Sequence, residues 1–231
     1  MKLEGFCLKD EHSYLLFFLV YGVACAAMLI LDGSFLYGML FWNALLASVP
    51  LYFMKQLMKN RENHQRLKRA LSFLLWMAFF PNSIYMVTDF IHISNDAMIW
   101  SVPTEPYSGL NSIRYSMDML QWGKLLVISL GAVYALLAGF SSLNELYEYI
   151  LEKSGWKRAM VLMVGISLIS SFGVYIGRFL RFNSWDLLKP AVLIPKIMDS
   201  LNIFTVQFTM IYAVFVLTVF WLLRWMSFRK I

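Results

Sequence analysis

The chain has 231 residues, of which 60% are hydrophobic, 17% aromatic and 15% charged, with a net charge of +6. A water-soluble domain carries about a quarter charged residues, so this composition excludes an ordinary soluble domain and points to a chain dissolved in lipid. Its two cysteines, Cys7 and Cys25, have no paired spacing and support neither a disulfide nor a thiolate metal site.

Six segments are long and apolar enough to cross a bilayer, which takes roughly 20 helical residues: 14–31, 35–54, 70–92, 121–143, 159–180 and 203–223. The period-two alternation of a membrane barrel is missing. The expectation is an all-α polytopic protein, a bundle of six transmembrane helices forming a single domain over residues 1–231. The first segment offers small residues at Ala24-Cys25-Ala26, but its apolar run continues to Leu31 and its leader mixes Lys2 and Lys9 with Glu4, Asp10 and Glu11. That pattern reads as a retained helix rather than a cleaved signal. Pro50 in the second segment and Pro81 in the third predict kinks.

The third segment carries the chain's most unusual pattern. Asn82, Tyr85, Asp89 and His92 follow one another at three, four and three residues, which places them on one helical face, with Asp96 one turn beyond. Ionisable groups in a lipid-embedded helix are costly and mark a site, a polar partner or water. The connection from 93 to 120 adds Glu105, Arg114 and Asp118 among Trp100, Tyr107 and Tyr115. On the fifth segment Ser167, Ser171, Tyr175 and Arg178 form a polar stripe, and its exit supplies Arg181, Asn183, Trp185 and Asp186. Gly173 and Gly177 make a small-xxx-small pair that permits close helix contact. Asn202, Thr205, Thr209 and Tyr212 make a second stripe on the sixth segment.

Fourteen of the twenty basic residues fall at the termini and in the even-numbered connections. The positive-inside rule then predicts an N-in/C-in topology, which brings the ends of the third and fifth segments together on the outer face. No base-stacking or groove-reading module accompanies the basic residues, so nucleic acid is excluded as a partner.

The run from Phe79 to His92 fits F-x-P-N-x-x-Y-x-x-T-D-x-I-H, and a second run, GRFLRFNSWDLL, spans Gly177 to Leu188. With Trp42-Asn43 and Gly139-Phe140-Ser141-Ser142, these motifs resemble the bacterial integral membrane family catalogued as domain of unknown function 1361 (DUF1361). The resemblance implies a six-helix protein of the bacterial cytoplasmic membrane. It also implies that Asn82, Tyr85, Thr88, Asp89, His92, Arg178, Arg181, Asn183, Trp185 and Asp186 are functional or architectural positions.

Several chemistries fit these residues. As a ligand site, Asn82, Tyr85, Asp89, His92, Arg178, Arg181, Asn183, Trp185 and Asp186 suit an anionic, lipid-linked envelope molecule, because guanidinium presents a bidentate fork to phosphate or carboxylate. As catalytic groups, Asp89 and His92 are an orienting carboxylate and imidazole for proton transfer. As metal ligands, Asp89, His92 and Asp96 offer oxygen and nitrogen donors from one helix. A proton-coupled transporter also fits. The alternative is a membrane scaffold or complex subunit, its charges neutralising one another within the bundle. Membrane lipid, a membrane protein partner and a second copy of the chain are the expected partners. Phosphate-loop, dinucleotide and haem-attachment motifs are missing, and the cofactor is left open.

Overall fold

The computed structural model describes residues 11–103, 111–182 and 190–228. Its helices are α1 (Glu11–Asp32), α2 (Leu36–Glu62), α3 (Arg66–Tyr85), α4 (Met119–Ser154), α5 (Trp156–Phe179), α6 (Pro190–Ser200) and α7 (Ile203–Phe228), and α3 continues directly into a 3-10 segment, Met86–Ile93. Six helices, all but α6, are long and apolar enough to cross a membrane. At 36 residues α4 is the longest. Its length of about 54 Å exceeds the roughly 30 Å of a hydrocarbon core, and its last turns carry Glu145, Glu148, Glu152 and Lys153.

Two elements depart from a plain six-helix reading. The connection after the 3-10 segment holds an antiparallel hairpin, β1 (Ile99–Pro103) and β2 (Asn111–Tyr115), with Trp100 opposite Arg114 and Ile99 opposite Tyr115. Between α5 and α7 lies the short α6, which contains Pro195 and shows Val192, Ile194 and Met198 on its exposed side.

The buried side chains form two clusters that share α4. One gathers Trp76, Phe80, Leu143, Ile166, Val216 and Phe220; the other gathers Tyr21, Tyr37, Leu40, Ala44, Ile128 and Ala135. Lipid tails are as apolar as leucine, so helices in a bilayer associate through close packing and polar links rather than hydrophobic exclusion. Both devices are visible. Gly139 of α4 sits directly against Ser83 of α3, and Gly173 of α5 sits so close to Pro81 that an added Cβ would lie 2.8 Å from the ring. Ser83 Oγ donates to the Ala47 carbonyl at 3.1 Å, Trp76 Nε1 donates to Ser142 Oγ at 3.1 Å, and the Ser48 and Tyr134 hydroxyls are 2.7 Å apart. At the end of the bundle where α4 and α7 finish, Arg224 binds Asn144 at 2.7 Å and Glu148 at 2.5 Å, with its guanidinium over the Tyr147 ring.

Candidate functional site

The third segment was expected to be helical to residue 92, and it is, but not with one winding. α-Helical geometry gives way to 3-10 after Tyr85, five residues past the start of the Pro81 turn. Three residues per turn then align Met86 with Asp89, and both are buried. Asp89 is 3% exposed.

Arg178, in the last turn of α5, reaches this carboxylate. Its Nη2 pairs with Asp89 Oδ1, its Nε donates to Thr88 Oγ1 at 2.8 Å, and its guanidinium lies 4.3 Å from the centre of the Tyr85 ring. The remaining Asp89 oxygen, Oδ2, accepts from Asn43 Nδ2 of α2 at 3.3 Å. Gly177 makes the approach possible, because a Cβ there would meet the Tyr85 ring at 3.3 Å. The glycine pair of α5 therefore faces α3: Gly173 against Pro81 and Gly177 against Tyr85. Asn43, Tyr85, Thr88, Asp89 and Arg178, five residues from α2, α3 with its 3-10 continuation, and α5, form one set with the charges paired and the guanidinium engaged on its edge and on its face.

The surrounding motif residues serve the backbone. In a membrane every backbone polar group needs an internal partner, and a proline followed by a change of winding disturbs the regular ladder. Asn82 Nδ2 donates to the Phe79 carbonyl at 3.0 Å and Thr88 Oγ1 donates to the Tyr85 carbonyl at 2.6 Å. Tyr212 of α7 donates to the Ile84 carbonyl at 3.2 Å. Thr88 is thus the hinge of a relay from Arg178 to the carbonyl at the end of α3.

The other expected groups separate. His92 lies one 3-10 turn past Asp89, half-buried, and no hydrogen bond joins the two among the described residues. Asp96 is held by Lys124 of α4, whose ammonium is 3.1 and 3.0 Å from its two oxygens. Among the described residues no group of three His, Cys, Asp or Glu side chains is placed to hold a metal ion, so Asp89, His92 and Asp96 do not converge. Each carboxylate faces a cation of the protein, which opposes a second cation at the same oxygens. Arg181, two residues past the end of α5, has an exposed side chain and φ of +57°, a left-handed conformation uncommon outside glycine. Asn183, Trp185 and Asp186 lie outside the described residues, as do Glu105 and Tyr107.

Part of the polar stripes of α5 and α7 also turns to the backbone. Ser167 donates to the Met163 carbonyl at 2.8 Å, Tyr175 and Thr205 both donate to the Ser200 carbonyl, at 3.2 and 2.8 Å, and Asn202 Oδ1 accepts the Thr205 N–H at 3.0 Å. The bonds to Ser200 tie α6 to the ends of its neighbours, while the buried hydroxyls of Ser171 and Thr209 have no hydrogen-bond partner among the described residues.

Sequence reasoning overlooked two contributors. Asn43 entered only as part of a family motif, although a lone amide within the apolar run of α2 was a signal in its own right. Lys124, the partner of Asp96, is absent from the sequence motifs. No curated protein and no solved structure matches this chain. Residues 42–219 match the profile described as "Protein of unknown function (DUF1361)" and include Asn43, Thr88, Asp89 and Arg178. The chain belongs to the DUF1361 family.

Proposed function

We propose that this protein is a multi-pass scaffold or complex subunit of the bacterial cytoplasmic membrane, in which the Asn43–Asp89–Arg178 set locks three helices in register near the outer face. The observation that supports this reading is the engagement of Arg178, whose Nε and Nη2 are taken by Thr88 and Asp89 while its face lies over Tyr85. A ligand anion bidentate on Nε and Nη2 would have to displace a carboxylate that is itself almost fully buried. Removing one partner from a buried pair is strongly unfavourable. Asn82 and Thr88, bonded to backbone carbonyls, fit the same architectural role.

A second reading, capture of an anionic lipid-linked envelope molecule, draws on Arg181. It is an exposed cation on a strained backbone just past the end of α5, and such strain is often retained at functional positions. Under this reading Arg181, rather than Arg178, meets the anion.

Arg178→Lys tests the lock, and the melting response of the parent to a polyisoprenyl phosphate tests the second reading. Lysine keeps the charge and loses the fork and the planar face, so the scaffold reading expects a variant that unfolds more easily in detergent, in a parent protein whose melting is unmoved by a polyisoprenyl phosphate. A lysine variant that melts like the parent, in a parent stabilised by that phosphate, would sink the scaffold reading.

A further inference from the structure

On the opposite end of the bundle from the Asp89–Arg178 pair, α3 and α5 diverge around an open groove of about 560 Å³. Its walls are Phe73 and Met77 of α3 and Val161, Leu162, Ile166 and Ile169 of α5, with Gly165 as its floor. Gly165 has nothing within 4 Å of the position its Cβ would take, so the missing side chain is what leaves the space. One end of this apolar trough carries Lys157 and Arg158, from the first turn of α5. Both are exposed, and neither has an ion-pair partner among the described residues. Glu152, just before that turn, is engaged by Arg61 at 3.3 Å.

From these observations we infer that the groove between α3 and α5 is a binding site for one anionic phospholipid, with an acyl chain along Gly165 and the phosphate at Lys157 and Arg158. Three features select this occupant. The volume lies within the roughly 300–1,000 Å³ of ligand pockets. From Lys157 to Ile169 is twelve helical residues, about 18 Å at 1.5 Å per residue, which matches one leaflet of a hydrocarbon core roughly 30 Å thick. The two cations sit at the mouth, where the headgroup lies, on the side that carries the basic connections and therefore faces the more anionic leaflet by charge complementarity. A zwitterionic lipid would fill the same trough but gain less from the cations. A soluble anion would meet the cations and leave the trough empty.

The full-length protein, purified in detergent and stripped of lipid, is titrated with phosphatidylglycerol, phosphatidylcholine or glycerol phosphate, with bound lipid counted by native mass spectrometry and melting followed in parallel. The parent is expected to hold one phosphatidylglycerol at least tenfold more tightly than phosphatidylcholine, and glycerol phosphate is expected not to compete. Each Lys or Arg near an anionic headgroup contributes about a fivefold change in affinity. Lys157→Gln with Arg158→Gln should therefore bring phosphatidylglycerol down to the phosphatidylcholine level. Gly165→Leu, which enters open space, should weaken both lipids severalfold. Equal retention of the two lipids by the parent overturns the proposal without recourse to any variant. So does full affinity in Gly165→Leu, or competition by glycerol phosphate, which would make the site one for a soluble anion.

Discussion

Breaking the Asp89–Arg178 pair from each side should give unequal losses that do not add. Arg178→Met leaves the Asp89 carboxylate, 3% exposed, with the 3.3 Å bond from Asn43 as its described partner. An uncompensated buried charge of this kind costs about 3–5 kcal/mol. Asp89→Asn is milder, because an amide still accepts from the guanidinium while Thr88 and the Tyr85 ring hold it in place. A loss of about 1.5–3 kcal/mol is expected, the range for one charged hydrogen bond. The double variant removes both charges and should lose about 1–3 kcal/mol less than the sum of the two, as groups in one network do. Equilibrium unfolding in mixed micelles at graded denaturing detergent gives the four free energies. Additivity within about 0.5 kcal/mol would mean that the two side chains do not depend on each other in the folded protein, and the lock would be refuted.

Two glycines of α5 should respond oppositely to alanine. Gly173→Ala drives a methyl to 2.8 Å from the rigid Pro81 ring and should destabilise by about 1–3 kcal/mol, whereas Gly165→Ala meets nothing within 4 Å and should be neutral or stabilise by up to about 1 kcal/mol. Equal melting shifts for the two would show that α3 and α5 do not pack at Pro81. For the N-in/C-in topology, Lys59→Cys and Met117→Cys are compared in a background lacking Cys7 and Cys25. A membrane-impermeant thiol reagent on intact cells should modify position 117 alone, and modification of position 59 alone would invert the arrangement.

The membrane spans are legible in the sequence because they depend on a sum over twenty residues, which single polar positions hardly change. The convergence of the third and fifth segments is legible too, since alternating helices put their ends together once the spans are counted. What escaped was the fine geometry. Spacings of three and four fit both α and 3-10 winding, so the sequence does not tell where Tyr85 hands over to Met86, and that handover aims Asp89. The role of Thr88 was hidden for a related reason: a hydroxyl that bonds its own backbone and one that receives a guanidinium look alike as a letter. Asn43 is separated from Asp89 by 46 positions, beyond the reach of any local pattern. The β1–β2 hairpin was masked by its shortness, five residues a strand.

The order of synthesis gives the Asn43–Asp89–Arg178 set a further meaning. Asp89 is made 89 residues before the arginine that neutralises it, an interval of roughly 4–18 s at about 5–20 residues per second. Throughout that interval Asn43, already translated, is the partner at hand, and an amide suits a carboxyl group whether or not it holds its proton. The third helix can therefore enter the membrane early with a provisional companion and acquire its cation only when the fifth arrives. A chain that stalls before residue 178 lacks the cation that pairs with Asp89 in the finished bundle.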